Sequence, residues 1–151
     1  MTIYILDTDI ISYLWDIKSP HHQKIVDKLN TLKDDDIVGL SIVSIYELTY
    51  GMNSFKNENL KSIFQNALTT IKRDKDIFIY SLDIDSADFF SEIKEIYKSS
   101  TGINSKSAKK NDLDFMIASI SMSQKAILVS NDKLFEVLSN HTNLKYENWV
   151  N

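Results

Sequence analysis

The sequence contains no cysteine, one proline, three glycines and a single arginine, Arg73, among 151 residues. Without cysteine there is no disulfide, no thiolate metal site and no cysteine nucleophile, and a reducing cytoplasm is the expected compartment. So little proline and glycine leaves few breaks, and neither a low-complexity linker nor an internal repeat intervenes. The expectation is a single domain spanning 1–151. No apolar run is long enough to cross a bilayer, so no membrane partner is expected. The apolar start Met1–Leu6 has no basic n-region and is broken by Asp7 and Asp9, which argues against a secretory leader. Histidine chemistry is poorly supported too. His21 and His22 adjoin Pro20 at an expected helix start and read as solvated, His141 lies in a polar stretch, and no nucleophile-elbow motif accompanies them.

What is present is a globular composition, 43% hydrophobic and 25% charged. A chain of this length buries roughly two-thirds of its extended surface, enough for a proper core. Seventeen basic against 21 acidic residues give a formal charge of -4, and aspartate supplies 15 of the acids. Mild acidity argues against a protein that coats nucleic acid. It leaves room for an enzyme that touches nucleic acid with one face.

Short apolar runs alternate with amphipathic segments. TIYIL (2–6), 37–42, IFIYSL (77–82), AILVS (126–130) and LKYENW (144–149) read as strands. Between them, helices are expected after Asp9 as cap, from a first turn containing Pro20 through Leu32 to the acidic run Asp34–Asp36, around Ile45, Leu48 and Met52, over 60–71, around Phe89–Tyr97, from about Asp112 with Leu113, Met116, Ile117 and Ile120 on its apolar face, and over 133–138. The polar stretch 99–111 reads as a loop. Strands alternating with helices imply an α/β fold with a mostly parallel central sheet flanked by helices. Ligands of such sheets bind beyond the carboxyl ends of the strands.

That rule directs attention to acids near strand ends. Asp7 follows the first strand, Asp132 follows AILVS, and Glu47 and Asp114 sit one turn inside helices. Gathered carboxylates repel and raise one another's pKa, so a cluster is tolerable chiefly around a cation. Oxygen-only ligands without His or Cys point to Mg²⁺ or Mn²⁺ rather than zinc. Carboxylate-held Mg²⁺ activates water and stabilises in-line displacement at phosphodiesters. Each acid also has a structural reading. Asp9 suits a helix N-cap, Ser44-Ile45-Tyr46-Glu47 fits a capping box, Asp114 complements a helix dipole, and Asn131-Asp132 caps a strand-to-helix turn.

The segments YILDTDIISYL (4–14), SIVSIYELTYG (41–51), NDLDFMIASIS (111–121), LVSNDKLFE (128–136) and YENWV (146–150) together resemble the PIN-domain nucleases, most closely the VapC-type toxins of toxin–antitoxin pairs. They stand in the family's order along nearly the whole chain. The resemblance implies a PIN-like fold and Mg²⁺-dependent (or Mn²⁺-dependent) endoribonuclease activity. By it Asp7, Glu47, Asp114 and Asp132 are the catalytic and metal-holding acids. Ser130 takes a hydroxyl position that orients them, with Thr8, Asp9 and Asn131 close by. Asp112 is two residues from Asp114, about 200° round a helix, and better suits a cap. Asp9 is a departure, since the family often carries Asn there. Nothing transfers for Lys106, Lys109 and Lys110, which read as loop lysines. The resemblance further implies an RNA substrate, a homodimer and a small VapB-like antitoxin whose segment wraps the toxin, for which helices over 43–55 and 60–72 offer a groove.

Other readings compete. DTDII (7–11) also resembles the start of haloacid-dehalogenase-type phosphohydrolases, with Asp7 as nucleophile, although Ile11 stands where that family has Thr or Val. A receiver domain requires a Lys-Pro pair near its fifth strand, and Pro20, the sole proline, follows Ser19. A non-catalytic PIN-like binding module would be marked by lost acids, and all four are present. Trp15 and Trp149 are read as core or interface rather than base-stacking platforms. The four proposed acids equal the entire formal charge, so the remainder is a neutral body around one anionic pocket.

Overall fold

The computed structural model describes residues 1–151. In chain order the elements are β1 (Ile3–Leu6), α1 (Thr8–Trp15), α2 (His22–Leu29), β2 (Ile37–Ser41), α3 (Ile42–Met52), α4 (Glu58–Arg73), β3 (Phe78–Tyr80) and α5 (Ile84–Thr101). There follow α6 (Ser105–Ala108), a 3₁₀ turn (Lys109–Asn111), α7 (Asp112–Ser123), β4 (Ile127–Val129), α8 (Lys133–His141) and β5 (Lys145–Glu147). The sheet has the order β3-β2-β1-β4-β5, and every pairing is parallel. All five strands therefore end at one edge. The chain first builds outward from β1 through β2 to β3, then restarts on the other side with β4, so the order reverses between β1 and β4. Beyond the carboxyl ends at such a reversal the flanking connections diverge and leave a crevice.

Alternation along the strands divides the core between the two faces of the sheet. Ile5 and Leu128 face Ile93 of α5, Phe115 and Ile117 of α7, and Phe135 of α8, all fully buried. Leu6, Leu40 and Val129 face Ile10 and Ile11 of α1, Ile25 of α2, and Phe64 and Leu68 of α4. Trp149 and Val150 close this second layer. Fully burying each such side chain contributes about 1.5–3 kcal/mol. Trp149 packs on Tyr4 and Trp15 packs edge-on to Phe64, so both tryptophans serve the core, as expected. Gly39 of β2 lies under Tyr80, where a Cβ would come within 2.5 Å of the ring.

Several local expectations are corrected. Within 99–111 only residues 102–104 form a loop. Helix α5 runs on to Thr101 and ends at Gly102 in the left-handed conformation (φ 72°), the usual helix stop. Asn104 then caps α6 by accepting from the Ser107 N–H at 2.8 Å, while Ala108 is buried beneath it. Asp7, not Asp9, caps α1. Helix α2 starts two residues after Pro20 and ends before Leu32. His21 and His22 are half-buried rather than solvated, His21 against the Tyr13 ring and His22 Nδ1 within 2.9 Å of the Leu14 carbonyl. Asp112 does not cap α7, since it is that helix's first residue, and its carboxylate pairs with Lys94 of α5. Leu113, expected on the apolar face, is exposed.

Candidate active site

Asp7 sits where β1 gives way to α1. Its backbone is extended, and its carboxylate accepts from the Thr8 N–H at 2.7 Å. The Asp7 N–H donates to the Val129 carbonyl at 2.9 Å, so the β1–β4 ladder holds the residue's main chain. Its Oδ2 accepts from Ser130 Oγ at 2.7 Å, and Ser130 is completely buried at the end of β4. Asp7 itself is only 6% exposed. Burial, then the neighbouring Asp9 charge, push its carboxyl up to about 8 despite the hydrogen bonds from Ser130 and Thr8.

The turn after β4 assembles the opposite wall. Ser130 Oγ also accepts from the Asp132 N–H at 3.0 Å, so one buried hydroxyl ties Asp7 to that turn. The Asn131 N–H donates to Asp9 Oδ2 at 3.0 Å, and Asp9 Oδ1 accepts from Ile10 N–H. Burial raises the Asp9 carboxyl, with a further push from Asp132. Asp132 caps α8 by accepting from the Leu134 N–H at 2.8 Å, as its structural reading required. It is exposed, yet its charge also acts on Asp9 and Asp114.

The capping-box reading of Glu47 fails. Ser41, not Ser44, caps α3, accepting from the Ser44 N–H at 2.9 Å. Glu47 lies in the middle of the helix and accepts from Thr8 Oγ1 at 2.6 Å, a bond that reaches across 39 residues of sequence. Asp114 projects from the first turn of α7. This helix leads into β4, which places its N-terminal end at the carboxyl edge of the sheet. Burial, followed by Asp132, Glu47 and Asp9, pushes the Asp114 carboxyl up to about 7. Its first-turn position also suits the helix dipole, but its surroundings are other carboxylates.

The crevice thus brings Asp7, Asp9, Glu47, Asp114 and Asp132 within electrostatic reach of one another, with Thr8, Ser130 and Asn131 bonded to three of them. No three His, Cys, Asp or Glu side chains form a closed ligand cluster. The convergence is one of charge and of oxygen donors, and that chemistry suits a hard divalent cation. Two supporting groups escaped the sequence reading. Tyr146 donates its hydroxyl to the Ser130 carbonyl at 3.1 Å, and Asn148 Nδ2 donates to Asn131 Oδ1 at 2.9 Å. Both lie in the YENWV segment, but nothing in a lone Tyr or Asn signals a partner on another strand.

The family model of the PIN domain matches residues 4–140. No curated protein matches. Among solved structures, the chain is similar to one in a complex of VapBC2 from Rickettsia felis bound to a promoter DNA fragment. That pair is 22% identical with a TM-score of 0.73, covering 98% of this chain and 99% of the other. It is also similar to a chain of VapBC-1 from nontypeable Haemophilus influenzae, at 20% identity and TM-score 0.72, covering 99% and 100%. A third likeness is to the sarcin–ricin-loop-cleaving toxin VapC20 of Mycobacterium tuberculosis, at 11% identity and TM-score 0.62, covering 94% and 98%. These likenesses establish the shared fold, while the match over residues 4–140 carries the assignment: the chain belongs to the PIN-domain family.

Proposed function

We propose that this protein is a metal-dependent endoribonuclease, the VapC-like toxin of a toxin–antitoxin pair, acting in the cytoplasm on RNA phosphodiesters. The observation that carries this reading is the convergence of five carboxylates at the β1–β4 reversal, with Asp7 and Asp114 raised to about 8 and about 7. A partly buried arrangement so costly to charge is sensible when a cation shares the site. Asp7 and Asp114 would hold that cation, Mg²⁺ or Mn²⁺, and Glu47 and Asp132 would complete the donor set. The chemistry such an ion would supply is polarisation of a water and compensation of charge developing on the phosphoryl oxygens.

The remaining roles belong to the chain's own groups. Ser130 fixes the Asp7 carboxylate from one side and the Thr8 N–H from the other. Thr8 Oγ1 holds Glu47 toward the same crevice. Asn131 fixes Asp9, which adds a charge where the family often has a neutral amide. Hydrolysis adds the water oxygen to phosphorus, breaks a phosphorus–oxygen ester bond and returns a proton to the departing ribose oxygen. The phosphohydrolase alternative requires Asp7 as an accessible nucleophile, and here both of its oxygens are engaged within a buried pocket.

The likenesses to VapBC complexes support a cognate VapB-like antitoxin and a homodimer as partners. Induction of the protein with and without such an antitoxin, followed by sequencing of RNA ends, is the direct test. New ends that appear only without the antitoxin, and that the purified protein reproduces with Mg²⁺ or Mn²⁺ but not with chelator, are the expected result. No new ends under either condition sinks the proposal. Ser130→Ala should slow cleavage about 10–100-fold, the usual cost of losing a residue that orients a ligand. Ser130→Thr should retain most of the rate, because it keeps the hydroxyl. Equal loss in both variants would refute the orienting role.

A further inference from the structure

We propose that Lys106, Lys109 and Lys110 form an RNA-phosphate grip that delivers the strand to the acidic crevice; this rests on the nuclease reading above. The sequence alone makes them loop lysines, and the structure does not. Lys106 lies in α6 and Lys109 and Lys110 in the 3₁₀ turn; the backbone is right-handed helical at Ala108 and Lys109 and departs from it at Asn111 (φ -102°, ψ 14°), where α7 begins. The three are spaced i, i+3 and i+4, which puts them on one side of this helical run. Buried Ala108 and the Asn104 cap fix the platform from the other side.

All three lysines are exposed, and none takes part in an ion pair or donates a side-chain hydrogen bond. The nearest acid along the chain, Asp112, is already neutralised by Lys94. From residue 96 to residue 111 there is no Asp or Glu. Three positive charges are therefore uncompensated in a chain whose net charge is -4.

Their position gives the charge a purpose. Lys110 precedes Asp114 by four residues and Lys106 precedes it by eight, so along the helical rise the patch starts roughly 6–8 Å from that residue and extends to roughly 12–16 Å. An acidic crevice repels a polyanion, and it needs attraction close by to hold the chain on either side of the reacting phosphate. Flexible ammonium groups on an ordered platform give that attraction without reading sequence.

The test is binding of a labelled single-stranded RNA of mixed sequence, followed by anisotropy across a salt series. It is done with Mg²⁺ in the Asp7→Asn background, so that the probe survives. Replacing Lys106, Lys109 and Lys110 together by Gln should weaken binding about 10–100-fold near 0.1 M salt and reduce the salt slope by about 2. In the active protein the same variant should raise KM with kcat unchanged, and three Lys→Arg changes should restore binding. The matched control is Lys33, Lys75 and Lys125 to Gln. These are exposed lysines just before β2, β3 and β4, at the opposite edge of the sheet, and should have little effect.

Equal weakening by both triple variants would overturn the local grip in favour of bulk charge. Unchanged RNA binding with lost affinity for an acidic protein partner would overturn it in favour of protein docking. If the unsubstituted protein neither binds nor cleaves RNA, the nuclease reading falls and takes the grip with it. Normal cleavage with an indifferent Gln variant defeats the grip alone.

Discussion

Asp7→Asn should abolish metal-dependent RNA cleavage, lowering the rate by at least about 10³-fold, while leaving the fold intact. The expectation follows from where Asp7 stands. It joins β1 to α1 at the sheet reversal, its N–H is bonded to β4, and its carboxylate is the meeting point of Ser130 and Thr8. An amide keeps the size and most of the hydrogen bonding, but loses the charge that a divalent cation requires. The same change removes the most strongly desolvated ionisable group of the cluster, so the metal-free variant should melt higher than the parent above neutral pH, by roughly 5 °C. Rates with Mg²⁺ and Mn²⁺ and thermal unfolding, measured on the same preparations, check both halves. Full activity in a folded Asp7→Asn protein would dismiss the assignment of this residue.

The metal-free protein should lose stability as pH rises from about 5 to about 8, by roughly 5–10 °C in Tm. Asp7 and Asp114 titrate near 3.8 when unfolded, but at about 8 and about 7 in the folded state. Between those values the folded protein holds protons that the unfolded chain has released. Raising pH through this window therefore favours unfolding. Asp9 is raised as well and acts in the same direction. Asp35 and Asp36 are held below the usual range, Asp35 by the N-terminal ammonium and Asp36 by the Lys33 N–H, so their contribution disappears only in more acidic solution. Saturating Mg²⁺ or Mn²⁺ should reverse the loss at pH 8, because binding at about 100 times Kd adds about 2.7 kcal/mol. Thermal melts across pH, with chelator and then with each cation, provide the measurement. A chelator-treated protein that becomes more stable from pH 5 to pH 8 would contradict the crowding of carboxylates inferred for the crevice.

Much of this is legible in the sequence. Five short apolar runs separated by amphipathic segments required an α/β sheet, and strand-end placement drew attention to Asp7 and Asp132. Those signals survive because hydrophobic period and strand length are local properties. Local capping chemistry was less readable. Asp7 displaced Asp9 as the cap of α1, and Ser41 displaced Ser44 as the cap of α3, since neighbouring Asp and Ser residues are equivalent until backbone angles select one. Residues 99–111 misled for a related reason: lysine, serine and asparagine are abundant in loops, yet here a single buried alanine and an asparagine cap suffice to make helix.

By itself, the sequence determined the class of fold, the exclusion of thiol chemistry and an oxygen-only inventory of candidate donors, because composition and periodicity need no knowledge of neighbours. Only the tertiary structure decided that the order of strands reverses between β1 and β4, bringing Ser130 against Asp7 across 123 residues and Thr8 against Glu47 across 39. Which carboxylates are buried, and which feel one another's charge, follows from that meeting alone. Desolvation and Coulomb repulsion depend on distance in space, and four or five acids scattered along a chain carry no record of it.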